Sequence, residues 1–169
     1  IFEDADLPTA LGCASHGFLF NSGQICAATS RLYVQESIAP EFIKSLVAEF
    51  EKASESLGAD PLLKTTALGP LADKMQMDRV LYFIEEGKKS ATLLTGGKRK
   101  GDKGCFVEPT LFTDPAPDNV AYKDEIFGPV LFVRTFKTEK EALALANDST
   151  FGLIGMCSAF SLYSITPLA

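Results

Sequence analysis

The sequence has a single histidine, His16, and four cysteines, Cys13, Cys26, Cys105 and Cys157, in 169 residues. The cysteine spacings match no zinc pattern, and one imidazole does not complete one, so no metal site is expected. So few cysteines in a chain of this size argue against a disulfide framework and for a reducing, intracellular setting, read as cytoplasmic. Cations are also scarce: 16 Lys and Arg against 22 Asp and Glu leave a net charge of −6. Nucleic acid needs clustered Lys and Arg, so no nucleic-acid partner is expected. The one basic run, Lys98-Arg99-Lys100 with Lys103, is broken by Gly101 and Asp102 and reads as a solvated turn. From Ser149 to Ala169 there is no charge at all. Gly152, Gly155, Pro167 and several hydroxyl residues dilute that stretch, so a buried strand with an atypical tail is expected instead of a membrane span. Residue 1 is Ile and no charged leader is visible, so targeting is not legible.

What is present is an ordinary globular composition, 46% hydrophobic and 22% charged, which suits a packed core and not a disordered chain. Ile1-Phe2 reads as the end of a buried strand. Asp4-Ala5-Asp6-Leu7-Pro8 opens a helix whose apolar face carries Ala10, Leu11, Ala14 and Phe18. Asn21-Ser22-Gly23 is a loop signal, and Arg31-Leu32-Tyr33-Val34 reads as a strand. Phe42, Ile43, Leu46, Val47 and Phe50 recur at helical spacing over residues 39 to 56. A second amphipathic helix runs from about Asp73 to Lys89, with Met77, Val80, Leu81 and Ile84 inward. Ala91 to Leu94 is a short strand, and Gly96-Gly97 turns the chain. Cys105-Phe106-Val107 and Thr110-Leu111-Phe112 form an extended pair interrupted by Pro109, at an edge or a bend. Leu131-Phe132-Val133 is a buried strand, and Thr138 to Glu141 is a capping box for a helix ending near Asn147. Strands alternate with helices, which predicts an α/β layered fold with a largely parallel sheet and flanking helices.

Two phrases carry chemistry. Phe20-Asn21-Ser22-Gly23-Gln24-Ile25-Cys26 places a thiol after a polar, glycine-containing turn where backbone can approach a ligand. A backbone N–H beside such a thiol can serve an oxyanion. On these local features Cys26 is either a nucleophile or a small buried hydrophobe, as Cys13, Cys105 and Cys157 are read. Glu125-Ile126-Phe127-Gly128-Pro129-Val130 is, by itself, a surface carboxylate, a core ring and a turn before a strand. His16 would have to be the base of any Cys-His pair, and a helix-surface role suits it better.

Together with Glu3-Asp4-Ala5-Asp6-Leu7, Ser30-Arg31, Gly69-Pro70, Gly96-Gly97, Glu108-Pro109-Thr110, Ala146-Asn147 and Phe151-Gly152-Leu153, these phrases resemble the aldehyde dehydrogenase superfamily, in order from residue 1 to about residue 154. The Gly-Gln-x-Cys and Glu-Ile-Phe-Gly-Pro phrases are that family's two signatures. The resemblance implies an oxidoreductase that converts an aldehyde to a carboxylic acid with NAD or NADP. Cys26 matches the nucleophile that forms a thiohemiacetal and then a thioester, with its backbone N–H facing the oxyanion. Glu125 matches the carboxylate on the nicotinamide ribose, and Phe127 the aromatic residue near the nicotinamide. Gln76 and Arg79 resemble a polar-basic pair contacting cofactor ribose. Ile25 and Ala27 would flank the thiol and line the aldehyde pocket. A small-molecule aldehyde partner and a homo-oligomeric parent follow from the same resemblance.

The family's general-base glutamate and its oxyanion asparagine match nothing here, and no Gly-rich phosphate loop follows a strand. Residues 1–154 are therefore expected to be part of a catalytic domain, with the cofactor-binding domain absent, and the isolated chain inactive. After Gly155 the sequence leaves the family pattern, and 155–169 are expected to be a poorly ordered tail. Two other readings stand beside this one: a non-catalytic remnant acting by association through exposed sheet edges, or a thiol acyltransferase or hydrolase using His16.

Overall fold

The computed structural model describes residues 1–160. Among these residues four strands form one sheet: β1 Arg31–Gln35, β2 Thr92–Thr95, β3 Thr110–Thr113 and β4 Val130–Phe136, in the spatial order β1-β4-β3-β2. β4 runs parallel to both β1 and β3, with Arg31 opposite Phe132 and Thr110 opposite Val130. β2 is antiparallel to β3, so the sheet is mostly parallel with one reversed edge. Ile1 adds a further ladder position beside β1: its N donates to Tyr33 O at 2.7 Å and Gln35 N donates to its O at 3.0 Å.

Among the described residues, five α-helices flank the sheet: α1 Leu7–Gly12, α2 Ala39–Glu55, α3 Lys74–Ser90, α4 Val120–Lys123 and α5 Glu139–Asn147. Each of the capped starts has a short polar side chain: Asp6 accepts from Thr9 N, Asp73 from Gln76 N, Asn119 from Tyr122 N and Thr138 from Glu141 N. α1 continues as a wider π-helical turn over Cys13–Gly17, which keeps Ala10, Ala14 and Phe18 on the buried side.

The strands alternate sides, as a pleated sheet requires. Leu111, Leu131 and Val133 pack with α1 and α2 in one core, around Phe18, Phe42, Leu46 and Phe50. Phe112, Val130 and Phe132 pack with α3 and α4 in a second core, around Val80, Phe83, Ile84 and Tyr122. Phe112 and Phe132 stack at 5.1 Å between ring centroids. The sheet is thus sandwiched between helical layers, and truncating either ring to Ala would cost about 3–5 kcal/mol.

The expected helices are found, as are the strands at Arg31, Leu93, Thr110 and Leu131, and other details differ. Cys105-Phe106-Val107 makes only an isolated bridge, Val107 with Arg99. Residues 149–160, expected to hold a buried strand, hold none and leave Phe151, Leu153, Ile154 and Met156 exposed. Pro109 lies before an interior strand, not on an edge; it precedes the ladder, which Thr110 N starts by donating to Pro129 O at 2.8 Å. Glu141 reaches back to Lys137 N at 2.8 Å, one residue before the cap position of the expected box. Cys157, expected in the core, is exposed. Ser158 O accepts from Phe2 N at 3.0 Å, so this part of the tail lies against the start of the chain. The expectation for residues 161–169 falls outside the described residues. No helix among the described residues is long and apolar enough to cross a membrane.

Candidate active site

β1 and β4 are parallel neighbours, and each chemical phrase leads directly into the N-terminal end of one of them. Parallel pairing therefore brings the two phrases to the same end of the sheet, although about a hundred residues separate them. The ladder continues into the junction, with Phe132 N donating to Ser30 O at 3.0 Å.

The first phrase is held by its own side chains. Asn21, Ser22 and Gly23 have φ of 51°, 56° and 70°, a left-handed run that costs energy at the two non-glycine positions. Asn21 Nδ2 donates to Gln24 O at 3.2 Å, and Ser22 Oγ donates to Gly69 O at 2.7 Å. Gln24 accepts from Ala72 N at 2.8 Å through Oε1. Its Nε2 donates to Asn21 O at 3.1 Å and to Pro70 O at 3.4 Å. Beyond this anchor the chain turns, with Ala28 N donating to Ile25 O at 3.0 Å. Cys26 sits exposed in that turn, between half-buried Ile25 and Ala27. Its backbone N–H has no acceptor among the described residues, which leaves it available to an oxyanion.

The second phrase is held by α3. Arg79 Nη2 donates to Glu125 O at 2.8 Å, with its guanidinium 4.7 Å from the Phe83 ring centroid. Gln76 Nε2 donates to Phe127 O at 2.7 Å and to Ile126 O at 3.2 Å. Three successive carbonyls are thus occupied, and Phe127 adopts a left-handed φ of 58°. Ile126 is buried, whereas the Glu125 carboxylate is exposed and the Phe127 ring is 39% exposed. No cation among the described residues pairs with Glu125.

The two phrases touch backbone to backbone. A Cβ on Gly23 would stand 2.4 Å from Gly128 O, and one on Gly128 would stand 2.5 Å from Val80 Cγ2. Only hydrogen fits at either position. Cys26 and Glu125 line a common cleft of about 380 Å³, along with Arg31, Phe151 and Cys157. His16 is not part of this cleft; its ring approaches Ser15 Oγ at 3.3 Å and Glu49 at 3.8 Å.

The residues singled out by sequence thus separate by role. Cys26 and Glu125 share the cleft, and Phe127 is exposed beside Glu125. Gln76 and Arg79 direct their side-chain donors to the carbonyls of residues 125–127. Ser22, Gln24 and the Gly23–Gly128 contact were not anticipated as structural parts. The Gly-Gln and Gly-Pro of the phrases were their only trace in the sequence.

Residues 1–164 match the model of the aldehyde dehydrogenase family. The chain belongs to the aldehyde dehydrogenase family. It is 46% identical over 154 residues to an aldehyde dehydrogenase of Davidiella tassiana, covering 90% of this chain and 30% of that protein. It is equally similar, over the same shares, to aldehyde dehydrogenase family 2 member C4 of Arabidopsis thaliana. Among solved structures, the NAD+ complex of aldehyde dehydrogenase from Bacillus cereus superposes with a TM-score of 0.90 at 41% identity, over 96% of this chain and 33% of that one. Betaine aldehyde dehydrogenase from Staphylococcus aureus, also an NAD+ complex, gives 0.90 at 34% identity, over 96% and 33%. The chain therefore spans about a third of the length of the aldehyde dehydrogenases it matches.

Proposed function

We propose that this chain is the nucleophile-bearing part of the catalytic domain of an aldehyde dehydrogenase, with residues 1–154 forming that part. The observation that carries the reading is the shared cleft of Cys26 and Glu125 at one end of two parallel strands. The Cys26 thiolate adds to the carbonyl carbon of an aldehyde. A C–S bond forms, and the carbonyl π pair moves to oxygen beside the Cys26 N–H. Loss of hydride from that carbon leaves a thioester. Attack by water expels the thiolate and gives the carboxylic acid. Ile25 and Ala27 flank the thiol in the chain, whereas the cleft itself is lined beside Cys26 by Ala28 and Thr29 and not by these two residues.

NAD+ supplies the hydride acceptor when bound, and the residues present fit part of it. An exposed, unpaired carboxylate at Glu125 suits the two hydroxyl donors of a ribose, and the exposed Phe127 ring suits a flat heteroaromatic face. Gln76 and Arg79, expected from sequence as ribose contacts, place their side-chain donors on the carbonyls of residues 125–127 and support the ribose site from behind. Two of the solved relatives named above are NAD+ complexes, which favours NAD over NADP.

The 169-residue chain incubated with aldehyde and NAD+ is expected to show no steady turnover, because it spans only a third of its relatives. Sustained NADH production would refute that incompleteness. Iodoacetamide is expected to alkylate Cys26 before Cys13, Cys105 and Cys157; equal rates at Cys26 and the comparably exposed Cys157 would count against the assigned nucleophile.

A further inference from the structure

We propose that Gln24 and Gln76 act as a pair of positioning residues that fix the thiol of Cys26 relative to the carboxylate of Glu125 through the start of α3. The proposal rests on the reading of Cys26 and Glu125 as the working groups. Gln24 clamps the cysteine turn onto residues 69–72, using its acceptor on Ala72 N and its donors on Asn21 O and Pro70 O. Residue 72 leads directly into Asp73, which caps α3 by accepting from Gln76 N at 2.8 Å. One turn into the helix, Gln76 donates to Ile126 O and Phe127 O. The two amides thus hang both phrases on one rigid helix start. The Gly23–Gly128 contact closes the arrangement from the other side.

The residue type follows from the geometry. Gln24 must donate and accept at once, which a carboxylate or an ammonium cannot do. Gln76 faces two carbonyl oxygens, so it needs an uncharged donor that costs little to desolvate. Neither side chain has to touch a substrate to serve this role.

The test compares alkylation of Cys26 with that of Cys157 within one molecule, by peptide mapping after timed iodoacetamide exposure across pH. The variants are Gln24→Leu, Gln24→Glu and Gln76→Leu in the 169-residue chain, each checked for folding by urea titration. Gln24→Glu keeps the acceptor for Ala72 N and loses both donors, so it preserves the test if Gln24→Leu does not fold. The Cys26 to Cys157 ratio is expected to change by about fivefold in each folded variant, the factor that one net hydrogen bond carries. Gln76→Leu is also expected to speed hydrogen exchange at the amides of residues 126–128. A merely stabilising role would lower the urea midpoint and leave the ratio within about twofold of the parent chain in every folded variant. That outcome overturns the proposal. If Cys26 of the parent chain is no faster than Cys157 but the variants still move the ratio, the nucleophile reading fails and the clamp stands.

Discussion

Replacing Gly23 with Ala tests the contact that joins the two phrases. The new Cβ would meet Gly128 O at 2.4 Å, Gly128 C at 2.7 Å and Pro129 N at 3.1 Å, all backbone atoms on the lead into β4. None of these can swing away as a side chain would. Alanine at a φ of +70° costs about 1 kcal/mol from backbone sterics alone. Forcing β4's lead outward adds about 1–3 kcal/mol of overpacking. The sum, about 2–4 kcal/mol, is a large part of the roughly 5–15 kcal/mol that stabilises a domain. Gly58→Ala is the matched control, because its φ is +82° and its Cβ would meet nothing within 4 Å. Urea unfolding followed by circular dichroism should lower the midpoint of Gly23→Ala by about 1–2 M, and that of Gly58→Ala by about 0.5 M. Equal shifts in the two variants would show that Gly23 serves only its φ, and that the phrases do not press on each other.

Further consequences concern the scaffold. Gly12 is in right-handed helical geometry with open space at its Cβ position, so Gly12→Ala should stabilise the chain by about 0.5–1 kcal/mol in the same titration. Tyr33 hydroxyl meets Tyr122 hydroxyl at 3.0 Å and donates to Leu145 O at 3.0 Å, so Tyr33→Phe should cost about 0.5–1.5 kcal/mol by removing that bond, while Leu145 O keeps Asp148 N at 3.4 Å. Burial, then the Tyr122 hydroxyl, pushes the Tyr33 phenol above its ordinary value of 10.0. Its contribution is whole below that ordinary value and is lost as pH rises toward the higher folded value, so Tyr33→Phe should flatten the alkaline limb of stability. Asp148 is the opposite case: the Lys123 ammonium at 2.5 Å holds its carboxyl below 3.8. That increment is present above 3.8 and fades as pH falls through the lower folded value. Lys123→Met should return the Asp148 titration, followed by NMR, to the ordinary carboxylate range.

The large helices were legible because their apolar spacing and caps agree. Phe42, Leu46 and Phe50 mark α2, and Asp73 marks the start of α3. β4 was legible as an apolar run because both its faces are covered. The antiparallel pairing of β2 with β3 left no comparable sign, since strand direction depends on a long connection through Arg99 and Val107. α4 passed unnoticed because one turn carries no periodicity, although Asn119 is a good cap. Cys26 and Glu125, which share the cleft, stand out in the sequence because their phrases are local. The bonds of Gln24 to Pro70 and Ala72, and of Gln76 and Arg79 to residues 125–127, join positions far apart in sequence, and only the folded chain displays them.

The central claim is that Cys26 carries the acyl group. The direct measurement uses a chimera in which residues 1–154 replace the matching third of the Davidiella tassiana relative, 46% identical over that length. The chimera is mixed with aldehyde and NAD+, quenched in acid within a turnover, and mapped by mass spectrometry. The account predicts the acyl mass on the Cys26 peptide, absent in Cys26→Ala along with turnover. Acylation at another residue, or turnover retained by Cys26→Ala, would contradict it.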